Sequence, residues 1–116
     1  MVNIKISDFS KEAASQTKGL QLREQMEVLL KEATSFSVDF DGISRFASPF
    51  FNNSFASLAL IYGFDVIEKI RLLNLSEIGN LAYSTSMDNA HLLSNNPDYV
   101  EKINNIINTN LPKKDE

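Results

Sequence analysis

Three short runs with the residue pattern of β-strands are spread along this chain, each separated from the next by a segment far too long to be a hairpin turn. Val2, Ile4 and Ile6 alternate with Asn3 and Lys5, and Phe36, Val38 and Phe40 alternate with Ser37 and Asp39. Lys69-Ile-Arg-Leu-Leu-Asn74 forms the third run. A period of two is that of a strand with one buried and one wetter face. The intervening segments carry helical periodicity, so the strands are joined by crossovers. That order predicts a single-domain α/β fold: a small, mostly parallel or mixed sheet packed against helices.

The helical segments can be placed in outline. After a polar stretch, Ser7–Lys18, the run Gly19–Thr34 sets Leu22, Met26, Leu29, Leu30 and Ala33 on one stripe, with Arg23, Glu24, Glu27, Lys31 and Glu32 on the solvated side. Asp41-Gly42 marks a turn. Ser48-Pro49 predicts a helix start, serine accepting from free backbone N–H groups and proline sitting where a missing donor costs nothing. That helix should run from Pro49 to Tyr62 and end at Gly63. Ser76-Glu-Ile opens another, with Ile78, Leu81, Ala82 and Leu92 on its apolar side and a helix-poor middle, Tyr83–Asn89, that is a candidate break. Asn96-Pro97 repeats the start signal, and Tyr99, Ile103, Ile106 and Ile107 outline a last helix. The 116 residues fit one domain, read here as 1–110, with 111–116 as a flexible tail.

Composition removes several function classes. The chain has no cysteine, which excludes disulfides, thiolate nucleophiles and cysteine-held zinc, and makes a cytoplasmic setting the default expectation. No basic region leads into a long apolar run, so neither a signal peptide nor a membrane span is expected. Eleven basic residues against fifteen acidic ones give a net charge of −4, without a basic stripe. Nucleic-acid and anionic-membrane binding are therefore not expected.

Catalytic and cofactor motifs are equally scarce. The four glycines stand apart at 19, 42, 63 and 79, so no phosphate-cradling loop exists. The sole histidine, His91, has no serine-and-acid spacing around it and reads as a surface or partly packed helix residue. Asp39 and Asp41 share one side of their strand, but a magnesium site needs more oxygen ligands than they supply. No cofactor, metal or catalytic residue is assigned.

The helix beginning at Ser48 is the informative element. Four of the chain's eight phenylalanines lie in Phe46–Phe55. At 100° per residue, Phe51, Phe55, Leu58 and Tyr62 fall on one side, the expected core stripe, each large side chain contributing about 1.5–3 kcal/mol on burial. The opposite side carries Asn53, Ala56, Ser57 and Leu60, with Phe50 at its border. Small residues ringed by an amide, a leucine and an aromatic make a surface that another protein could approach closely.

Val38-Asp-Phe-Asp-Gly-Ile-Ser-Arg-Phe-Ala-Ser-Pro-Phe-Phe51 resembles the core of the STAS domains of bacterial anti-anti-sigma factors. More closely, residues 38–64 resemble the STAS-like family of unknown function, through Asp39, Gly42, Ser48, Phe50 and Phe55. Gly19-Leu-Gln-Leu-Arg-Glu24 resembles the helix opening that precedes this strand, and the likeness covers most of residues 1–90. The resemblance implies a regulatory module that docks on a histidine-kinase-like ATPase; such ATPase domains are often encoded beside or fused to members of this family. It also implies a partner surface around Ser48, Phe50 and Asn53. One departure from the pattern bears on regulation. Where anti-anti-sigma factors carry Asp-Ser-Ser-Gly, with the second serine phosphorylated, this chain has Pro49 at the phosphoacceptor position, Ser48 at the first serine and Ala47 at the aspartate. Ser48 is then the candidate phosphoacceptor. Its phosphate would meet the positive end of a helix and add about −1.5 to −2 charges to the docking surface.

The expected function is a non-enzymatic protein-interaction module using Ser48, Phe50, Asn53, Ala56, Ser57, Leu60, Asp41 and Ser44. The alternative is a small-ligand or nucleotide sensor. It would bind at the carboxyl ends of the strands, with Asp41, Ser44, Ser48 and Asn74 reaching the ligand.

Overall fold

The structure, a computed structural model, describes residues 1–95. The helix expected after Asn96-Pro97 and the tail 111–116 lie outside the described residues. Strands β1 (Val2–Lys5), β2 (Phe36–Asp39) and β3 (Arg71–Leu73) form one parallel sheet in the order β1-β2-β3. The α/β prediction holds, with strands shorter than their sequence patterns. Ile6 turns into a short 3₁₀ segment, and the third strand is trimmed at both ends.

Register sorts the sheet's two faces. Ile4, Val38 and Leu72 lie side by side, as do Asn3, Ser37 and Arg71. Alternation puts the first row on one face, the core face, and the second on the other. Right-handed crossovers stepping one way across a sheet lay both connecting segments on the same face. The other face accordingly keeps polar groups: Asn3, Lys5 and Arg71 are exposed, and the buried Ser37 hydroxyl donates to Asn3 Oδ1 at 2.7 Å.

Helix α1 (Gln16–Lys31) starts before the predicted Gly19, because Ser15 caps it by accepting from the Lys18 N–H at 3.2 Å. Leu22 and Met26 are fully buried, but Ala33 lies past the helix end at φ 55 and is exposed. The Ser48 helix is built of α2 (Ser48–Phe51), a π turn (Asn52–Ala56) and α3 (Ser57–Tyr62) in direct succession. Gly63, at φ 106, breaks it, and α4 (Phe64–Glu68) follows, an element the sequence pattern does not announce.

Helix α5 (Glu77–Ser94) departs from expectation twice. It runs without a break through Tyr83–Asn89, since tertiary packing outweighs weak propensity there. Its core face is also only partly the predicted one, for of the four residues expected there Ala82 alone packs against the core. Gly79, Ser86, Met87 and Ala90 are buried, whereas Ile78, Leu81 and Leu92 are 65%, 68% and 71% exposed. At Gly79 the absence of a side chain is required, because α5 comes very close to the residues beneath it there. A Cβ on Gly79 would sit 2.6 Å from Leu75 Cδ1 and 2.8 Å from the Phe46 ring.

Candidate interaction site around the Ser48 helix

The body of the Ser48 helix is the centre of the core. Phe50, Phe51 and Phe55 are fully buried. Phe51 lies 6.0 Å from Phe40, just past β2, tilted at 36°; it meets Phe50 at 5.2 Å and Tyr83 of α5 at 5.8 Å edge-on, and Phe55 meets Tyr83 edge-on at 5.4 Å and 89°. Edge-to-face pairs of this kind add about 0.5–1.5 kcal/mol each beyond their area. The predicted core stripe is therefore correct, with Leu58 fully buried and Tyr62 half-buried.

The opposite stripe requires a correction. Phe50 is 0% exposed, Asn53 8%, Ala56 5% and Ser57 4%, and Leu60 is partly buried against the core. Helices α1 and α5 both pack on this helix, so Asn53, Ala56 and Ser57 are enclosed within the domain and Leu60 alone of that stripe is partly open. The small side chains serve close internal packing. A Cβ on Gly19 of α1 would overlap the Phe50 carbonyl oxygen, so α1 lies almost against that backbone.

The π turn has a visible cause in the sequence Asn53-Ser54. The Asn53 amide donates to the Pro49 carbonyl at 2.7 Å and the Ser54 hydroxyl to the Phe50 carbonyl at 2.8 Å, each bond reaching back four residues. Such side-chain bonds take carbonyls that the backbone would use in a regular turn. Ser57 then donates to the Ser54 carbonyl at 3.1 Å. Across the gap to α5, the buried Ser86 hydroxyl donates to Asn52 Oδ1 at 2.6 Å.

The start of the helix is different. Ala47, at φ −157, is its N-cap and makes no side-chain cap; Ser48 is the first helical residue and Pro49 the second. The expectation that Ser48 caps the helix is corrected by one position, because Ala47 is the last extended residue. Ser48 is half-buried, Pro49 and Asn52 are exposed, and Asp41, Gly42, Ser44 and Arg45 in the preceding loop are exposed as well. Two anchors fix that loop: Ile43 is buried and donates its N–H to the Phe40 carbonyl at 2.9 Å, and Phe46 packs under α5 at Gly79. Gly42 takes φ 83, which only a residue without a Cβ adopts freely. Ile78, the residue before Gly79 in α5, is an exposed apolar side chain.

At the carboxyl ends of the strands, Asp39 Oδ1 accepts from the Asn74 amide at 2.8 Å and from the Asp41 N–H at 2.9 Å. The Asn74 bond foremost, with the Asp41 N–H, holds the Asp39 carboxyl below its ordinary range. Asn74 sits at φ 57, a conformation asparagine tolerates better than most residues. Of the four groups expected to reach a ligand, Asn74 is thus engaged with Asp39, while Asp41 and Ser44 point to solvent on the loop. No group of three potential metal-ligating acids or histidines occurs among the described residues. His91 is a half-exposed helix residue, stacked 3.7 Å over Phe64 and 2.8 Å from Glu68 Oε2. No helix among the described residues is long and apolar enough to cross a membrane.

Asp39, unfit by sequence for a metal site but part of the STAS-like pattern, ties the strand end to its turn through the Asn74 and Asp41 bonds. Its signal was available in the Asp-x-Asp spacing, since an aspartate commonly accepts from the N–H two residues on. The exposure of Ile78 had no comparable signal.

A family model described as a STAS-like domain of unknown function matches residues 18–80, more than half of the chain. The match runs from the start of α1 to the first turn of α5 and contains the whole Ser48 helix. No curated protein matches the chain, and no solved structure does.

Proposed function

The chain belongs to the family of STAS-like domains of unknown function, and on that premise we propose that it is a cytoplasmic, non-enzymatic regulatory module that docks on a histidine-kinase-like ATPase. The docking surface is the rim at the start of the Ser48 helix, Asp41, Ser44, Arg45, Ser48, Pro49 and Asn52, together with Ile78 of α5. Burial of Phe50, Asn53, Ala56 and Ser57 takes these out of the contact surface and gives them the task of fixing the helix from behind.

One observation carries this reading. The loop Asp41–Ala47 exposes charged and hydroxyl side chains while its backbone is anchored on both sides of them, by Ile43 and by Phe46. A surface held in shape before binding loses little entropy when a partner arrives. Ser48 is the hydroxyl by which such docking would be regulated. Half-buried at the first helical position, it would hold a phosphate near N–H groups that lack a side-chain cap.

The test uses the purified chain and a histidine-kinase-like ATPase domain encoded beside it, with affinity read by calorimetry. Arg45→Glu and Ile78→Asp should each weaken the complex at least about tenfold, the scale of one well-placed interface residue, while circular dichroism stays unchanged. Absence of any complex would refute the partner; a complex indifferent to both substitutions would refute the surface. Incubation with the ATPase and ATP, followed by intact-mass measurement, decides the regulatory branch, which fails if Ser48 gains no phosphate.

A further inference from the structure

We propose that Glu12 is a clasp that holds the segment Ser10–Ser15 as a strap against Arg45–Ala47, and so positions the loop from which the Ser48 helix departs. The inference deepens the docking reading by naming what sets the shape of that surface. The structural part stands without any partner.

The strap is hydrogen-bonded to the loop through Ala13. Ala13, fully buried, pairs with Phe46 in an isolated parallel bridge: its N–H donates to the Arg45 carbonyl at 2.9 Å, and its carbonyl accepts from the Ala47 N–H at 3.2 Å. Ala47 is the helix N-cap, so this bridge fixes the residue immediately before Ser48. A bridge of two bonds has no ladder beside it to hold its register, and its geometry depends on the residues flanking Ala13.

Those flanks are held by Glu12. One carboxylate oxygen accepts from the N–H groups of Ala14 at 2.6 Å and Ser15 at 2.9 Å, and the other accepts from the Ser15 hydroxyl at 2.8 Å. On the near side, the Ser10 hydroxyl donates to the Glu12 carbonyl at 2.6 Å and accepts from the Glu12 N–H at 3.1 Å. Just beyond, the Lys18 ammonium donates to the Phe9 carbonyl at 3.0 Å. The bonds close around Ala13 on both sides. Hydrogen bonds to a charged acceptor are roughly twice as strong as neutral ones, and a carboxylate that accepts several is committed to one geometry. Partial burial raises the pKa of Glu12, but the Ala14 and Ser15 donors, with Arg45 nearby, outweigh it and keep the carboxyl below its ordinary value. The guanidinium of Arg45 therefore belongs both to the exposed rim and to the surroundings of the clasp.

Amide hydrogen exchange by NMR tests this directly. In Glu12→Ala, exchange at Ala13 and Ala47 should accelerate roughly ten- to a hundredfold, the factor that follows from losing a charge-assisted bond. Core amides such as Met26 and Leu58 should stay within about threefold of wild type. Glu12→Gln, whose side-chain carbonyl still accepts from Ala14 and Ser15, should restore most of the protection. The proposal is overturned if Ala13 and Ala47 exchange at wild-type rates in Glu12→Ala, or if every amide accelerates together. Failure to bind an ATPase would refute the docking reading and leave the exchange result standing. In a binding-competent pair, Glu12→Ala should lower affinity and Glu12→Gln should recover it.

Discussion

The body and the start of the Ser48 helix are fixed by opposite means. The body, from Phe50 to Ala59 with Asn52 alone exposed, is buried by aromatic and small side chains, and it contains a π turn. The start, with the loop before it, keeps Asp41, Ser44, Arg45 and Pro49 in solvent, while its backbone is held by bonds to Ala13 and Phe40 and by the Ile43 and Phe46 anchors. Apolar packing fixes a position by excluding everything else from it, so it leaves no surface over. Hydrogen bonding can fix a backbone while the side chains remain available to a partner. Within one helix the domain uses the first for stability and the second for a proposed surface.

Substitutions that break the body should therefore cost far more than those at the rim. Phe51→Ala is expected to lower the unfolding free energy by about 3–5 kcal/mol, a large share of what a domain of this size possesses. Urea unfolding followed by circular dichroism measures it, and a loss under about 1 kcal/mol would contradict the aromatic cluster as the core. Gly19→Val comes next, at about 1–3 kcal/mol, because the new side chain meets the Phe50 carbonyl. Gly42→Ala, with nothing within 4 Å of the new Cβ, should show only the strain of φ 83, about 1–2 kcal/mol. Ser54→Ala removes a buried hydroxyl bond to the Phe50 carbonyl and is expected to cost about 1 kcal/mol.

Two smaller effects sharpen the contrast from the rim side. Asp39 has a folded pKa below its ordinary 3.8. Its contribution is therefore complete above that value and is lost as the pH falls through the lower folded value. Asn74→Gly, which suits φ 57 but removes the amide, should reduce that acid-side loss, read from urea midpoints at a series of acidic pH values. The increment is small because Asp39 is mostly solvent-screened. Smallest is Ser44→Ala, expected to change stability by no more than about 0.5 kcal/mol. A rim residue that proved as costly as Phe51 would collapse the distinction.

The parallel α/β architecture could be read from the alternation at Val2–Ile6 and Phe36–Phe40, because burial of one sheet face imposes a period of two that few other structures need. The core stripe Phe51, Phe55 and Leu58 was legible for the same reason at helical period. Legibility failed where one apolar or small residue fits two environments. Ile78, Leu81 and Leu92 have the spacing of a core stripe, yet α5 buries Gly79, Ser86, Met87 and Ala90 instead, and at Gly79 the Phe46 ring and Leu75 leave no room for a larger side chain. Asn53, Ala56 and Ser57 look like an open docking face, yet α1 and α5 pack against it.

By itself the sequence determined that strands and helices alternate, that a helix starts near Ser48-Pro49, and that phenylalanines bind that helix to the sheet. Local periodicity and chain stereochemistry suffice for those. Only the tertiary structure decided that the small-residue face of the Ser48 helix is buried, that Ala47 rather than Ser48 is its cap, and that Ala13 reaches the loop in front of it. Each of these depends on contacts between segments distant in sequence, where the approach of two backbones, at Gly19 or Gly79, sets what can be buried.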